Sequence, residues 1–343
     1  MDTAVRDSIL VVDEQTWLIG GQLLLSCERA SCSAPEKIPG DGAALCFSFR
    51  EVDTPPPSSA TETQPFPLVY DVGDAHAVWK IGKSYLRVMK LISPYIARQH
   101  DILNAMHRIV SSLDVRLPKV LYHGEWDGRY YLITSEVPGQ TLEEAWPRME
   151  ESMKARCVER ISQFCIALSK NEGSQIEALS GGHLAEYYLA LSTQDPDDCF
   201  SPQKLLRICE DAGMDCSTLH LYHCDLGPGN IIVDLEKGAL GVIDFECVGY
   251  VPKAWIRTKF RVSGGHDLDN IPLGDEGRHE WRVRVQRELG KEGFPEVADS
   301  WMTLMRRGNA RWSKVGKPQG FGTVCFAQPW VAACACAFAK LPM

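Results

Sequence analysis

The stretch His223-Cys224-Asp225-Leu226-Gly227-Pro228-Gly229-Asn230, followed by Ile231-Ile232-Val233-Asp234, constrains this chain more than any other. Asp225 and Asn230 lie five residues apart on a loop holding two glycines and a proline. Such residues set tight turns, so the loop can aim both side chains at one point. The apolar run that follows predicts a strand that anchors the loop. A second apolar strand, Gly241-Val242-Ile243, ends in Asp244, nineteen residues after Asp225, with Phe245 and Glu246 beyond it. Two strands joined by a tight turn place Asp244 beside the loop.

Two acids and an amide brought together this way form a phosphoryl-transfer constellation. One Asp orients a substrate hydroxyl. The Asn and the second Asp hold Mg²⁺, which bridges phosphate oxygens. Hard oxygen ligands suit Mg²⁺ rather than zinc.

The rest of the chain sets the frame. Its 343 residues are 45% hydrophobic and 24% charged, which excludes a wholly disordered or collagen-like chain. No run of about 20 apolar residues is present, so no membrane span is expected. The acidic N-terminus lacks a basic-then-apolar start, so no secretory signal is expected and a cytoplasmic location is. Net charge is −9, with no long Lys/Arg run, and nucleic acid is not an expected partner. The 13 cysteines include no Cys-x-x-Cys. They read as reduced thiols, not as a metal site or disulfide framework.

Composition divides the chain into four parts. Residues 1–66 read as an N-terminal extension, with short strand-like runs and then a Pro/Ser/Thr-rich linker at 53–66. Residues 67–138 read as a β-rich lobe, with strands around Gly73 and the Gly82-Lys83-Ser84 turn and a hairpin at Asp127-Gly128. One helix is expected inside it, opening at Ser93-Pro94 and running to about Ser111. Residues 139–306 read as mainly helical, and 307–343 as an atypical tail.

In these signatures the chain resembles the aminoglycoside phosphotransferase and choline kinase superfamily, and among it the fungal phosphotransferase-family proteins. The His-x-Asp-x-x-x-x-Asn loop and the Ile-Asp-Phe-Glu strand end carry the resemblance, over about residues 67–305. It implies an α+β fold of protein-kinase type, with a small antiparallel β lobe and a larger, mainly helical lobe. It also implies ATP and Mg²⁺ as cofactors and a small-molecule acceptor. By the same resemblance Asp225 is the catalytic acid/base, His223 supports its loop, and Asn230 and Asp244 are metal ligands. Leu132 to Gly139 resembles the hinge whose backbone, near Ser135 to Val137, pairs with adenine.

The pattern also departs from the family. A strand Lys should hold the nucleotide phosphates, paired to a helix Glu. Here the strand offers Arg87 or Lys90, which alternation puts on opposite faces. At about 100° per residue the helix turns Gln99 inward and Asp101 outward, so an amide stands where a carboxylate is expected. No Gly-rich phosphate loop appears; only Val72-Gly73-Asp74 precedes the second strand.

The expected activity is transfer of the γ-phosphoryl group to a hydroxyl of an amino alcohol, an aminoglycoside-like compound or a secondary metabolite. The alternatives are a degenerate kinase-fold binding protein and a non-kinase enzyme of secondary metabolism. Asp195, Asp197, Asp198, Glu210 and Asp211 are either an acidic acceptor pocket or a solvated face. Trp255, Arg257, Lys259 and Arg261 are either an anion site or a brace for the segment after Asp244.

Overall fold

A computed structural model describes residues 4–29, 38–40, 45–60, 65–72, 74–91, 93, 95–190, 199–268 and 275–315, without side chains at 275–276 and 307–315. The chain forms two compact units, Met1–Ser93 with Pro118–Glu136, and Pro94–Leu117 with Val137–Met343. Antiparallel sheets and helices together make the fold α+β. Gly73, Asp195, Asp197, Asp198 and residues 316–343 lie outside the described residues.

The first unit opens with β1 (Ile9–Asp13), β2 (Thr16–Ile19), β3 (Leu23–Arg29), β4 (Ile38–Pro39) and β5 (Leu45–Glu51), in sheet order β1-β2-β3-β5-β4. Next come β6 (Leu68–Val72), β7 (His76–Ile81) and β8 (Ser84–Lys90). The chain then leaves for the second unit as α1 (Gln99–Ile109) and β9 (Val115–Arg116). It returns as β10 (Val120–Trp126) and β11 (Arg129–Ser135), giving a second sheet ordered β10-β11-β8-β7-β6. Asp127 and Gly128 both take positive φ, 51° and 67°, the two left-handed residues that a two-residue hairpin turn needs.

These two sheets share a core. Ile9, Ile19, Leu23, Leu25 and Phe47 of the first pack with Ala77, Trp79, Ile81, Leu86, Val88, Tyr131 and Ile133 of the second. Polar bonds join them as well. Trp126 Nε1 donates to Gly20 O at 2.8 Å, and Arg129 Nη1 to Ser8 Oγ at 2.8 Å. The extension and linker expected over 1–66 are therefore part of this unit. Ser59 exchanges two backbone hydrogen bonds with Val11, and Phe66 sits in the core. A lone strand leaves its polar edge and one apolar face unsatisfied, and the second sheet supplies the missing partner. Cys46 is disulfide-bonded, a correction to the reading of all cysteines as reduced thiols. Sequence spacing carries no sign of such a bond.

The second unit continues with β12 (Gln140–Thr141), α2 (Leu142–Ala145), α3 (Glu151–Ser169), β13 (Glu172–Gly173), α4 (Tyr187–Ala190) and α5 (Pro202–Asp211). Thr141 and Glu144 form a reciprocal capping box at the start of α2. Then follow β14 (Leu219–His223), β15 (Ile231–Asp234), β16 (Ala239–Val242), β17 (Val248–Pro252), α6 (Lys253–Val262), α7 (Asp275–Lys291) and α8 (Ala298–Val315). Two small sheets, β12-β15-β16-β9 and β13-β14-β17, sit among these helices. Helix α3 packs on α7 and β14, and α6 on α7 and α8.

Helix α1 differs from expectation in start and in place. It begins at Gln99, not at Ser93-Pro94, because Tyr95 and Ile96 pair with His183. That pairing ties the approach to α1 into the second unit. Of the inward stripe that the angles predict, Gln99, Leu103, Met106 and Val110 are buried and Asp101 is exposed, whereas Ile96 lies before the helix and is half-buried; Ile102 is buried as well.

Candidate active site

The second unit gathers His223, Asp225, Asn230, Asp244 and Gln99. β14 ends at His223, and Asp225 follows in the loop. A single 3₁₀ turn, Pro228–Asn230, returns the chain into β15. β15 and β16 pair antiparallel, Ile231 opposite Val242, and Ile243 N donates to Asn230 O at 2.9 Å. Asp244, just past β16, is thereby brought beside the loop.

Asn230 Nδ2 donates to Asp225 Oδ2 at 2.9 Å and to Asp225 O at 2.8 Å. With its nitrogen held there, the amide's remaining polar atom is its carbonyl oxygen, a hard donor of the type Mg²⁺ takes. Asp225 is half-buried. Burial, and behind it the Asp244 carboxylate, pushes its pKa up to about 6 against the pull of Lys259. A carboxyl of that affinity suits a base working near neutral pH.

Asp244 holds φ 62° and ψ 71°, left-handed backbone that costs a non-glycine residue on the order of 1 kcal/mol or more. Strain of this kind persists where a side chain must be aimed. Gln99 Nε2 donates to Asp244 Oδ1 at 3.4 Å, and Gln99 Oε1 is buried without a partner. His223 is fully buried; its Nε2 meets Ile243 O at 3.2 Å and its ring packs edge-on to Phe245. Burial pushes its pKa down to about 4, against the Asp244 charge, so it is neutral at pH 7.

The other expected site residues lie elsewhere. Arg87 and Lys90 are on β8 in the first unit. Leu86 and Val88 face the core, so Arg87 points to the opposite face, in register with Val78 and Leu132. Lys90 shares the core-side parity at the strand end. Sequence reasoning missed Lys80, which shares the Arg87 face and meets Glu136 Oε1 at 3.0 Å. In the stretch expected to be a hinge, Ser135 N donates to Lys119 O and Glu136 N to Lys83 O. The Ser135 N–H is thus already given to the residue before β10. Val137 begins the second unit with its side chain against Gly241.

On the acceptor side, Glu210 and Asp211 are exposed, as a solvated face requires. The basic-aromatic segment is a brace. Arg257 donates to Gln286 O and Phe294 O, Arg261 pairs with Glu296 and Asp299, and Lys259 pairs with Glu186. Glu186 was also missed, since a single acid in a helical stretch carries no sequence mark. Glu246 is half-buried in the turn after Asp244.

Known proteins can be set beside this geometry. Among solved structures, a thermostable mutant of the aminoglycoside phosphotransferase APH(4)-Ia, complexed with AMP-PNP and hygromycin B, is 16% identical with a TM-score of 0.46. That likeness covers 81% of this chain and 95% of the other. ADP-bound aminoglycoside phosphotransferase APH(2'')-Ib is 14% identical, TM-score 0.43, over 81% of this chain and 95% of its own. Aminoglycoside phosphotransferase APH(3'')-Id from Streptomyces rimosus is 19% identical, TM-score 0.41, over 70% and 91%. No curated protein matches the chain in sequence. The profile of the phosphotransferase enzyme family matches residues 70–254, more than half of the 343-residue chain, and spans Arg87, Lys90, Gln99, His223, Asp225, Asn230 and Asp244. The chain belongs to the phosphotransferase enzyme family.

Proposed function

We propose that the chain is an ATP- and Mg²⁺-dependent phosphotransferase that moves the γ-phosphoryl group to a hydroxyl of a small molecule. The double hydrogen bond from Asn230 to Asp225, with Asp244 close enough to raise Asp225, carries this reading. Bound Mg-ATP supplies the electrophilic phosphorus and the charge neutralisation that such a transfer needs. Asp225 orients the acceptor hydroxyl and takes its proton. Asn230, through its carbonyl oxygen, and Asp244 hold the metal. His223, neutral and buried, fixes the strand end on which Asp225 follows. On the nucleotide, Arg87 or Lys90 takes the phosphates. The adenine edge falls to the backbone at Val137, since the N–H groups of Ser135 and Glu136 are already used.

The test pairs calorimetry with turnover. Asp225→Asn is expected to abolish ADP release while leaving the Kd for Mg-ATP within about threefold. Equal loss of both would remove Asp225 from the catalytic role. Mg-ATP binding without turnover by the unmodified chain would fit a binding protein on this fold. Gln99, an amide given to Asp244 where the family carries a carboxylate, is the feature that favours that second reading.

A further inference from the structure

Beneath the Asp225 loop lies a charge pair with no part in the chemistry described so far. Lys259 on α6 is 3% exposed and Glu186 1%. Lys259 Nζ lies 2.6 Å from Glu186 Oε1 and 2.9 Å from Oε2. Tyr188 N donates to Oε1 at 2.9 Å and Trp255 Nε1 to Oε2 at 3.2 Å. The ammonium also lies 4.1 Å from the Tyr188 ring centroid and 5.7 Å from that of Trp255. Both charges are therefore well satisfied, and both are out of water.

Their position links the two carboxylate-bearing strand ends. A carboxylate oxygen of Glu186 and the sulfurs of Cys224 and Cys247 all lie within 4.8 Å of one another. Cys224 immediately precedes Asp225, and Cys247 follows Asp244 by three residues. Cys224 N donates to Cys247 O at 2.8 Å, and Cys247 Sγ to Ala185 O at 3.2 Å, beside Glu186. One carboxylate thus touches the roots of both loops. A carboxylate and two thiols can hold a cation, but the Lys259 ammonium already fills that place on Glu186.

Burying an ion pair costs several kcal/mol of desolvation per ion, and apolar residues of the same volume often stabilise a core as well. Stability alone therefore gives weak reason for this pair. We propose that Lys259 and Glu186 are positioning residues, which lock the backbone just before Asp225 and just after Asp244. The proposal rests on the assignment of Asp225 and Asp244 to the active site.

The test uses the full chain carrying Lys259→Met with Glu186→Gln, which removes both charges and keeps the volume. Hydrogen exchange without nucleotide is expected to accelerate at least tenfold at amides 223–230 and 243–248, and to stay unchanged in β7 and β8. Thermal stability should remain near that of the unmodified chain. In slow Mg-ATP hydrolysis, kcat is expected to fall tenfold or more with the KM for ATP within threefold. Unaltered loop exchange, or an unaltered kcat, overturns the proposal. Hydrolysis by the unmodified chain that is indifferent to Asp225→Asn would instead overturn the catalytic assignment, and the exchange measurement still decides the positioning role. Should the double variant not fold, Lys259→Gln with Glu186→Gln, whose facing amides remove both charges and keep acceptors for Trp255 and Tyr188, carries the same two measurements.

Discussion

Gln99, the first residue of α1, gives its amide nitrogen to Asp244 across 3.4 Å and leaves its carbonyl oxygen buried without a partner. An amide can donate to a carboxylate where a second carboxylate would repel it. Gln99→Glu is therefore expected to destabilise the metal-free chain by about 1–3 kcal/mol at pH 7.5. The loss should shrink near pH 4, where the new acid is protonated. Urea unfolding at the two pH values measures it; equal losses at both would remove charge as the cause.

Asp225 titrates high for a carboxyl, at about 6. A folded-state value above the unfolded one (about 3.9) means that ionising Asp225 costs stability above pH 6, a cost that fades as pH falls toward 4. Asp225→Asn is expected to stabilise the nucleotide-free chain by about 1–3 kcal/mol at pH 8 and by little at pH 4. Denaturant midpoints at both values check this. A variant less stable than the unmodified chain at pH 8 would refute it.

His223 works in the opposite direction. Its folded value is about 4, below the unfolded one, so the unfolded chain binds the extra proton between about pH 6.5 and 4. Stability is full above that window and is lost as pH falls through it, by up to about 3 kcal/mol. His223→Asn is expected to flatten this limb of the stability–pH curve while lowering the plateau. An unchanged slope would mean that another group carries the acid sensitivity.

Two glycines of the loop make a matched pair. A Cβ on Gly227 would come 2.4 Å from Gly265 O, whereas one on Gly229 meets nothing within 4 Å. Gly227→Ala is expected to cost about 2–4 kcal/mol and to displace the loop. Gly229→Ala is expected to stay within about 0.5 kcal/mol. Thermal melts of the two variants suffice, and similar melting points would contradict the packing.

The family match begins at residue 70, but the core does not. A chain starting at residue 67 lacks Ile9, Ile19, Leu23, Leu25 and Phe47 from the shared core of the first unit. It is expected to be insoluble or to unfold cooperatively at a much lower temperature, as judged by expression and circular dichroism. A well-folded truncated chain would show that the first sheet is dispensable.

The parts of the molecule legible in the sequence are those set by local spacing. The Asp225–Asn230 loop, the strand ending before Asp244, the Asp127-Gly128 hairpin and the inward stripe of α1 all depend on residues within about twenty positions. The strands of the first sheet were legible as short apolar runs, but their packing on the second sheet was not, because contacts such as Arg129 to Ser8 join residues 121 positions apart. Glu186 stayed hidden for the same reason, since its meaning comes from Cys224, Cys247 and Lys259. The start of α1 was misplaced because Tyr95 and Ile96 pair with His183 in preference to continuing a helix. A strong local capping signal lost to a long-range bridge.

The shared core of the first unit also sets a timetable for biosynthesis. β1 to β5 are complete once Glu51 has been made, yet the strands that cover their apolar face end only at Ser135. At roughly 5–20 residues per second, the ribosome needs about 4–17 s to supply the missing half. Throughout that interval Ile19, Leu23, Leu25 and Phe47 are exposed on the nascent chain. This exposure of apolar surface therefore falls early in synthesis, well before the Asp225 loop has been translated.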